Sequence, residues 1–569
     1  MFVKWYRLFL FFGCFFPFVA LAVHPKKVQK KASLEQVASF FAAGDDQAAD
    51  SLLLQCDSLQ PDYALWKAKI QFALTLKEHP VSNSPTLFSV VNSNEDTYWP
   101  SISPDHSMFA VTVSHCNAST FPESQEDVRF YRKDSLNKLI PDEEMEQRLN
   151  TPFNEGSVSF SVDGNYLFFV ASDRSDGLGS CDIYYLIRHG NGWSRPIHPD
   201  GPLNTRFWES NPSLSSDGKS LYFCSNRPGG LGGMDIWSCR VEKQADGTLL
   251  FYQPVNLGKP INTMHNETSP FIDADNQTLY FSSDGHPGLG GQDLFISRKN
   301  GLGQWSTPQN LGYPINSYAD EQGFSTDAKG LVGYFSSNRL QDGHRLQQIY
   351  RILLPSLDRP QPMRCQTGQV RPTTRDVPTP AYVQVVNLHT GQSIYSTIAD
   401  RSTGRFTICY PDTGQFALSV IKEGYLFHFS SLDDTASINT ISLTKIASGE
   451  KLMLRNIYFD FNSAQLKNSS AAELNQLLWL LKTNPSLRLL IAGHTDSIGN
   501  KAYNLQLSAE RAEAVVHYLV LQGIDSIRLE WKGFGDTQPI ADNRTEQGRA
   551  LNRRTEAIVI DKKDESAIH

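Results

Sequence analysis

The chain of 569 residues is poor in the features that carry catalytic or metal chemistry. It has eight cysteines but no Cys-x-x-Cys pair, so a zinc knuckle and a dithiol redox centre are both excluded. His-Glu-x-x-His, a Gly-x-Ser-x-Gly nucleophile elbow and a phosphate loop are absent, which removes the commonest metalloprotease, serine-hydrolase and nucleotide-hydrolase sites. Positive charge is in deficit. Lys plus Arg is 52 against Asp plus Glu 60, a net charge of −8, and such a chain has no field to draw in nucleic acid or anionic lipid. Beyond residue 22 no stretch approaches 18 apolar residues, so no membrane-spanning helix is expected there.

The first 22 residues carry Lys4 and Arg7, then an apolar run closing on Ala20-Leu21-Ala22, the layout of a secretory signal with a small-residue cleavage site. Cleavage is expected after Ala22. About 15 apolar residues containing Pro17 are short for a span that needs about 20. Phe11-Phe12-Gly13-Cys14 is a poor version of a lipoprotein cleavage box, and lipid attachment at Cys14 stands as the alternative to ordinary cleavage. Of the seven later cysteines, Cys224 and Cys239 lie on consecutive apolar runs and are the nearest candidates for pairing; buried free thiols are the other reading.

Hydrophobic residues make up 40% and charged residues 20%, a globular balance, and the length implies about three to five domains. Residues 33–82 place apolar side chains such as Val37, Phe41, Leu53, Trp66 and Ile70 at helical spacing, with Gly44 and Pro61 as breaks. This short α-helical, tetratricopeptide-like region is expected to pack on the next domain, because a lone helical pair lacks the stacking that stabilises an array.

Residues 86–358 repeat. Glu155, Glu209, Glu267 and Glu321 each open a Ser-rich segment closing on an Asp-Gly-type turn, Thr97 opens an earlier copy, and the steps are 58, 54, 58 and 54 residues. Five residues before each Glu stands an Asn: Asn150, Asn204, Asn262 and Asn316. Short aromatic-rich strands separated by Gly and Pro turns at this period predict an all-β propeller of five blades, with six possible. Asp182, Asp235 and Asp293, one per unit, could be read as a cation ring. Hydrogen bonding within each turn is the better reading, since one ligand per blade cannot surround an ion. The Pro-Ser-x-Ser-x-Asp-Gly and Ser-Asn-Arg segments resemble the blades of TolB-like propellers.

In 363–445 alternating apolar residues predict a β-sandwich. Asp400-Arg-Ser-Thr-Gly-Arg-Phe406 and Lys422-Glu-Gly-Tyr425 resemble the carboxypeptidase regulatory-like fold, which implies a spacer or docking module. The segments around 355–362 and 444–450 read as linkers that could be stiff or mobile.

Residues 446–562 predict an α/β domain: strand 457–461, helix 471–481, strand 487–492, helix 508–521, strand 527–533 and strand 555–560. Ser508 reads as the N-cap of its helix, which puts Arg511 in the first turn against the macrodipole, a placement suited to an anionic ligand group. Asp496, in Gly493-His-Thr-Asp-Ser-Ile-Gly499, brings the opposite charge. The pair could hold a zwitterionic amino-acid head or form a simple salt bridge. His494 has no nucleophile beside it and reads as a packing residue.

Tyr458-Phe-Asp-Phe-Asn462, His494-Thr-Asp-Ser-Ile-Gly, Asn504-Leu-Gln-Leu-Ser-Ala-Glu-Arg511-Ala and Asn552-Arg-Arg554 together resemble the OmpA C-terminal domain over about 110 residues. The resemblance implies non-covalent binding of diaminopimelate in the peptidoglycan stem peptide. Asp496 would take the ammonium and Arg511 the carboxylate, with Asn462, Thr495, Asn504 and Arg554 lining the site, and no metal or cofactor. The whole domain order is similar to multidomain OmpA-family proteins associated with type IX secretion, implying a non-enzymatic periplasmic scaffold that binds outer-membrane or other envelope proteins through its propeller. The alternative is an envelope hydrolase or lyase with its active site in the propeller.

Overall fold

The computed structural model describes residues 32–561, apart from 61, 104–105, 116–124, 191, 245, 328, 341–342, 344, 373–379, 433–437, 439, 456, 460–462 and 468–469. The expected signal segment, Cys14 and Asn462 lie outside the described residues. Among those described there are seven α-helices: α1 (Leu34–Ala42), α2 (Asp46–Leu53), α3 (Tyr63–Glu78), α4 (Glu143–Leu149), α5 (Ala471–Thr483), α6 (Lys501–Leu521) and α7 (Glu546–Asn552). The rest is mainly β, and the chain is multidomain. Among the described residues no helix is long and apolar enough to cross a membrane.

Helix α1 begins at a capping box in which Ser33 and Gln36 satisfy each other's backbone N–H groups. The inner faces of α1 to α3 (Val37, Phe41, Ala49, Leu53, Ile70 and Ala73) pack together and onto Leu289, Tyr313 and Tyr318 of the repeat region. Asp46 is buried where these surfaces meet, paired with Lys77 at 2.7 Å and hydrogen-bonded by the Tyr318 hydroxyl.

The repeats form five antiparallel sheets, each opening on its Glu or Thr unit and running outward through successive strands. The second is Glu155–Phe160, Tyr166–Ser172, Cys181–His189 and Gly192–Trp193. The fifth, opening at Glu321–Thr326, takes its fourth strand, Thr86–Leu87, from the start of the repeat region. Each first strand touches the first strand of the next sheet, and that of the fifth touches that of the first.

The repeating residues hold this arrangement by hydrogen bonds. Each buried Glu accepts from the backbone N–H four residues earlier, as Glu267 does from Thr263 at 2.7 Å. Each Asn clamps the third strand of the preceding sheet through both ends of its amide: Asn262 accepts from the Ile236 N–H and donates to the Ile236 carbonyl, both at 2.9 Å. Asp182 and Asp293 accept from two N–H groups of their own turns, and Asp235 does the same at Leu231 and Gly232. Two residues after each Glu or Thr the strand bulges, with Trp99, Ser157, Asn211, Ser269 and Gly323 all at positive φ. Only the last is glycine, and a Cβ there would lie 2.7 Å from Cδ1 of Trp99. Gly323→Ala combines left-handed strain with overpacking and is expected to cost about 2 kcal/mol or more, read as a lower urea midpoint.

Cys224 and Cys239 are both buried and unpaired. Their strands are neighbours, but Cys224 faces Ile236 and Cys239 faces Leu221, so the expected candidate pair is out of register. Among the described residues a disulfide joins Cys365 and Cys409, which face each other across two strands of the sandwich.

The sandwich stacks a four-stranded sheet on a three-stranded one around Val383, Val385, Leu418, Val420, Phe406 and Ile408. The segment before it is pinned: Tyr280 donates to the Asp358 carbonyl and the Gln361 N–H to Asp275, at 2.5 and 2.9 Å. Its other sheet face does not end the domain. Leu388, Ile421, Leu426, Phe427 and Phe429 belong to one core with Leu452, Leu454, Leu477 and Leu481 of the following domain. The 444–450 stretch is accordingly tied on both sides, by Leu426 N–H to Thr444 at 2.8 Å and Gly449 N–H to Val559 at 2.8 Å.

The last domain lays α5 and α6 on a sheet ordered Lys451–Leu454, Thr555–Ile560, Arg488–His494, Leu529–Gly535, the last pair parallel. Two expectations fail here. The first strand is Lys451–Leu454; of the expected strand 457–461, Ile457 and Tyr458 are irregular, Phe459 makes only an isolated bridge to Leu466, and 460 and 461 lie outside the described residues. Helix α6 starts at Lys501, capped by Asn500, whose side chain accepts from Ala502 and Tyr503. Ser508 is inside the helix, its hydroxyl donating to the Leu505 carbonyl and accepting from the Gly535 N–H. Arg511 is therefore well past the first turn, and the macrodipole argument for its role falls.

Candidate functional site

Strand Arg488–His494 delivers the loop that carries Asp496. The Thr495 N–H donates to Gly535 at 2.9 Å, extending the contact with the neighbouring strand, and the Thr495 hydroxyl donates to the Asp496 carbonyl at 3.0 Å. One Asp496 oxygen closes a turn by accepting from the Ile498 N–H at 2.9 Å. Asn504, buried on the first turn of α6, donates to the carbonyls of Asp496 and Ile498 at 3.3 and 3.0 Å. Thr495 and Asn504 thus shape the loop through these bonds.

The second Asp496 oxygen pairs at 2.7 Å with Arg553, whose side chain is exposed. Arg553 also binds Glu546 at 2.9 Å, and these two carboxylates raise the pKa of its guanidinium. Arg511 is half-buried from the other side. Its Nε donates to the Ser463 carbonyl at 3.0 Å and its guanidinium lies over Phe459, 5.0 Å from the ring centre. Among the described residues its terminal nitrogens have no hydrogen bond. Burial lowers its pKa and Arg553 adds to this, with Tyr503 opposing. A cation held in a partly dry place beside another cation is a site that gains from an incoming carboxylate.

Arg511 and Arg553 both border a cavity of about 170 Å³, together with Phe459, His494, Arg554 and Thr555. Arg554 is buried, with Nε on Glu556 at 2.7 Å and Nη2 on the Gln538 carbonyl at 3.1 Å. His494 stacks flat on Phe534 and stands 3.6 Å from Glu556. His494 and Arg554 hold the Glu556 carboxyl at about 2, against the upward push of burial. A depressed pKa contributes stability in full above the ordinary value near 4.5, and that contribution is lost as pH falls from there toward 2. Urea midpoints measured from pH 6 to 3 are therefore expected to fall more steeply for the wild type than for Glu556→Gln.

The structure brings Asp496, Thr495, Asn504, Arg511 and Arg554 to one end of the domain, and Asn462 lies outside the described residues. Sequence reasoning missed Arg553 as the partner of Asp496. Strand alternation from Thr555 was the available signal: Arg554 and Glu556 share one face, which leaves Arg553 for the other. Among the described residues no group of three or more His, Cys, Asp or Glu side chains could hold a metal ion.

Residues 458–553 match the OmpA family model, so the C-terminal domain is an OmpA-family domain. Over 104 residues the chain is 43% identical to outer membrane porin F of Pseudomonas aeruginosa, covering 18% of this chain and 30% of that protein. It is 40% identical over 103 residues to the peptidoglycan-binding protein ArfA of Mycobacterium bovis, covering 18% of this chain and 32% of that protein. The chain thus spans about a third of the length of these two relatives. A solved structure, the peptidoglycan-associated lipoprotein of Burkholderia pseudomallei, is similar with 37% identity, 18% of this chain and 87% of that chain covered, and a TM-score of 0.18.

Proposed function

We propose that the protein is a non-enzymatic cell-envelope scaffold, anchored non-covalently to peptidoglycan by its C-terminal domain. The observation that carries this reading is that Arg511, whose terminal nitrogens have no hydrogen bond among the described residues, shares a cavity with Arg553, the exposed guanidinium that holds the Asp496 carboxylate. The free amino-acid head of diaminopimelate in the stem peptide matches both. Its ammonium takes the place of Arg553 on Asp496, and its carboxylate takes the terminal nitrogens of Arg511 as a charge-assisted, two-pronged contact. Thr495 and Asn504 keep the loop in shape for that exchange, and Arg554 lines the same cavity. The peptidoglycan-binding relative supports the ligand class.

In this reading the five sheets are a closed five-bladed propeller of the TolB-like kind, in which the strand Thr86–Leu87 fastens the last blade to the start of the ring. The sandwich is the regulatory-like module, and the helices are a tetratricopeptide-like remnant. The propeller and helices present surfaces to envelope proteins, in the periplasm beside the outer membrane, within a complex such as that of type IX secretion. Cosedimentation of the full chain with purified sacculi tests the anchor. Retention on diaminopimelate-type wall and not on lysine-type wall, which lacks the second carboxylate, is the expected result; equal retention on both, or on neither, would refute it.

A further inference from the structure

Quasi-equivalent positions of the five sheets are not equally covered. In the fourth sheet the turn before Asp293 carries Leu289, and the neighbouring unit presents Tyr318 three residues before Glu321. The helices α1 to α3 sit over this notch: Leu289 is 1% exposed and Tyr318 meets Phe41 edge to face at 5.2 Å. One sheet back, the equivalent residues are Leu231, four before Asp235, and Met264, three before Glu267. The local geometry is the same. The Gly233 N–H donates to the His265 carbonyl at 2.8 Å, and the Met234 N–H to Asn266 at 3.0 Å, just as the Gln292 N–H donates to Asp320 at 3.0 Å in the covered notch. Here, however, Leu231 is 37% and Met264 76% exposed.

A further step back, Arg206 takes the Tyr318 position and stands on Phe207, so that notch is charged. The Leu231–Met264 notch keeps both apolar residues and lies directly beside the covered one. Asn266, two residues from Met264, donates to Asp284 at 2.8 and 2.9 Å, and Asp284 is a neighbour whose charge acts on Lys69 of α3. The two notches thus sit on adjacent sheets whose first strands touch.

We infer that the Leu231–Met264 notch docks an amphipathic α-helix of a second protein, seated as α3 is seated on Leu289 and Tyr318. The inference deepens the reading of the five sheets as a protein-binding platform and rests on it. The covered notch defines the partner's chemistry. Helix α3 brings Ile70 and Ala73 to the buried face, and its Lys69 donates to the Gly290 carbonyl at 3.2 Å with Asp293 below. Gly232 and Asp235 occupy the corresponding places in the open notch, so the incoming helix carries an apolar stripe with a lysine at its border.

The test uses the full chain and, as probe, a fluorescent peptide of residues 62–79 stapled between positions 67 and 71, which are exposed in α3. Saturable one-to-one binding is expected. Leu231→Glu and Met264→Glu should each weaken it at least about tenfold, the size of effect that follows when a desolvated apolar anchor is replaced by a charge. Leu302→Glu, at an exposed position elsewhere in the fourth sheet unit, should leave it unchanged, and unaltered thermal unfolding checks that all three variants are folded. No saturable binding overturns the inference. Binding that ignores both substitutions overturns it too, since the peptide would then be displacing α3 from its own notch. The broader platform reading fails separately, if photo-crosslinkers placed around all five sheets capture no envelope protein in cells.

Discussion

Replacing Arg511 by Ala in the full chain is expected to weaken retention on diaminopimelate-type peptidoglycan by about thirtyfold to several thousandfold. That range corresponds to about 2–5 kcal/mol for removing one partner of a desolvated, hydrogen-bonded charge pair. Arg511 should stand at the upper end because its side chain is already fixed by Ser463 and Phe459, so little ordering remains to oppose binding. Lysine at the same position keeps a charge but loses the planar fork, and Arg511→Lys is expected to recover only part of the loss. Asp496→Ala should match Arg511→Ala on wall binding, but with an additional signature. It frees Arg553 and opens the turn at Ile498, so amide exchange in the loop 495–500 should rise in this variant and not in Arg511→Ala. Cosedimentation isotherms on sacculi and hydrogen exchange read the two effects independently. Undiminished binding by either folded variant would reduce the charge pair to a brace.

The second large effect concerns stability. The Cys365–Cys409 bridge closes a loop across 44 residues, for which chain entropy alone predicts about 4 kcal/mol of stabilisation. The variant Cys365→Ala/Cys409→Ala, or the wild type with the bridge reduced, is expected to lower the first unfolding transition in urea. Because the sandwich shares its core with the C-terminal domain, wall binding should be lost at that same transition rather than at a later one. An unchanged first transition would mean that the bridge only decorates a pairing fixed by the sheet.

Those two sites also show how far the sequence could be read. The repeat register was legible because the Glu, Asn and Asp of each unit make local hydrogen bonds whose spacing is imposed by the strands they connect. Their role as clamps between sheets was not, since the partner strand of Asn262 is 26 residues away in sequence. The disulfide was illegible for a related reason: Cys365 and Cys409 meet only once the sandwich register exists, whereas Cys224 and Cys239 merely looked close. The start of α6 was misplaced because Asn500 and Ser508 are both good N-caps. Capping chemistry nominates such positions, and packing decides between them: the buried Asn504 and Leu507 carry the helix through Ser508. Asp496 and Arg511 stood out in the sequence as opposite charges, but Arg553, the residue that pairs with Asp496, did not, because which member of an adjacent Arg pair faces the loop is settled by strand phase.

The continuous core between sandwich and C-terminal domain has a mechanical side. Leu426, Phe427 and Phe429 interlock with Leu452, Leu477 and Leu481, so these two modules have no hinge to bend. The sandwich and the segment leading into it in turn grip the sheets at spots far apart in sequence: Thr397 on Asp163 at 2.9 Å, Asp400 on the Gly190 N–H at 3.0 Å, and the Gln361 N–H on Asp275 at 2.9 Å. If the proposed anchor is at Arg511, a load taken up there would pass along a strut rather than a tether. The chain would hold its two ends at a set spacing, and a shift of the wall would arrive at the rim of the sheets as movement instead of being absorbed as slack.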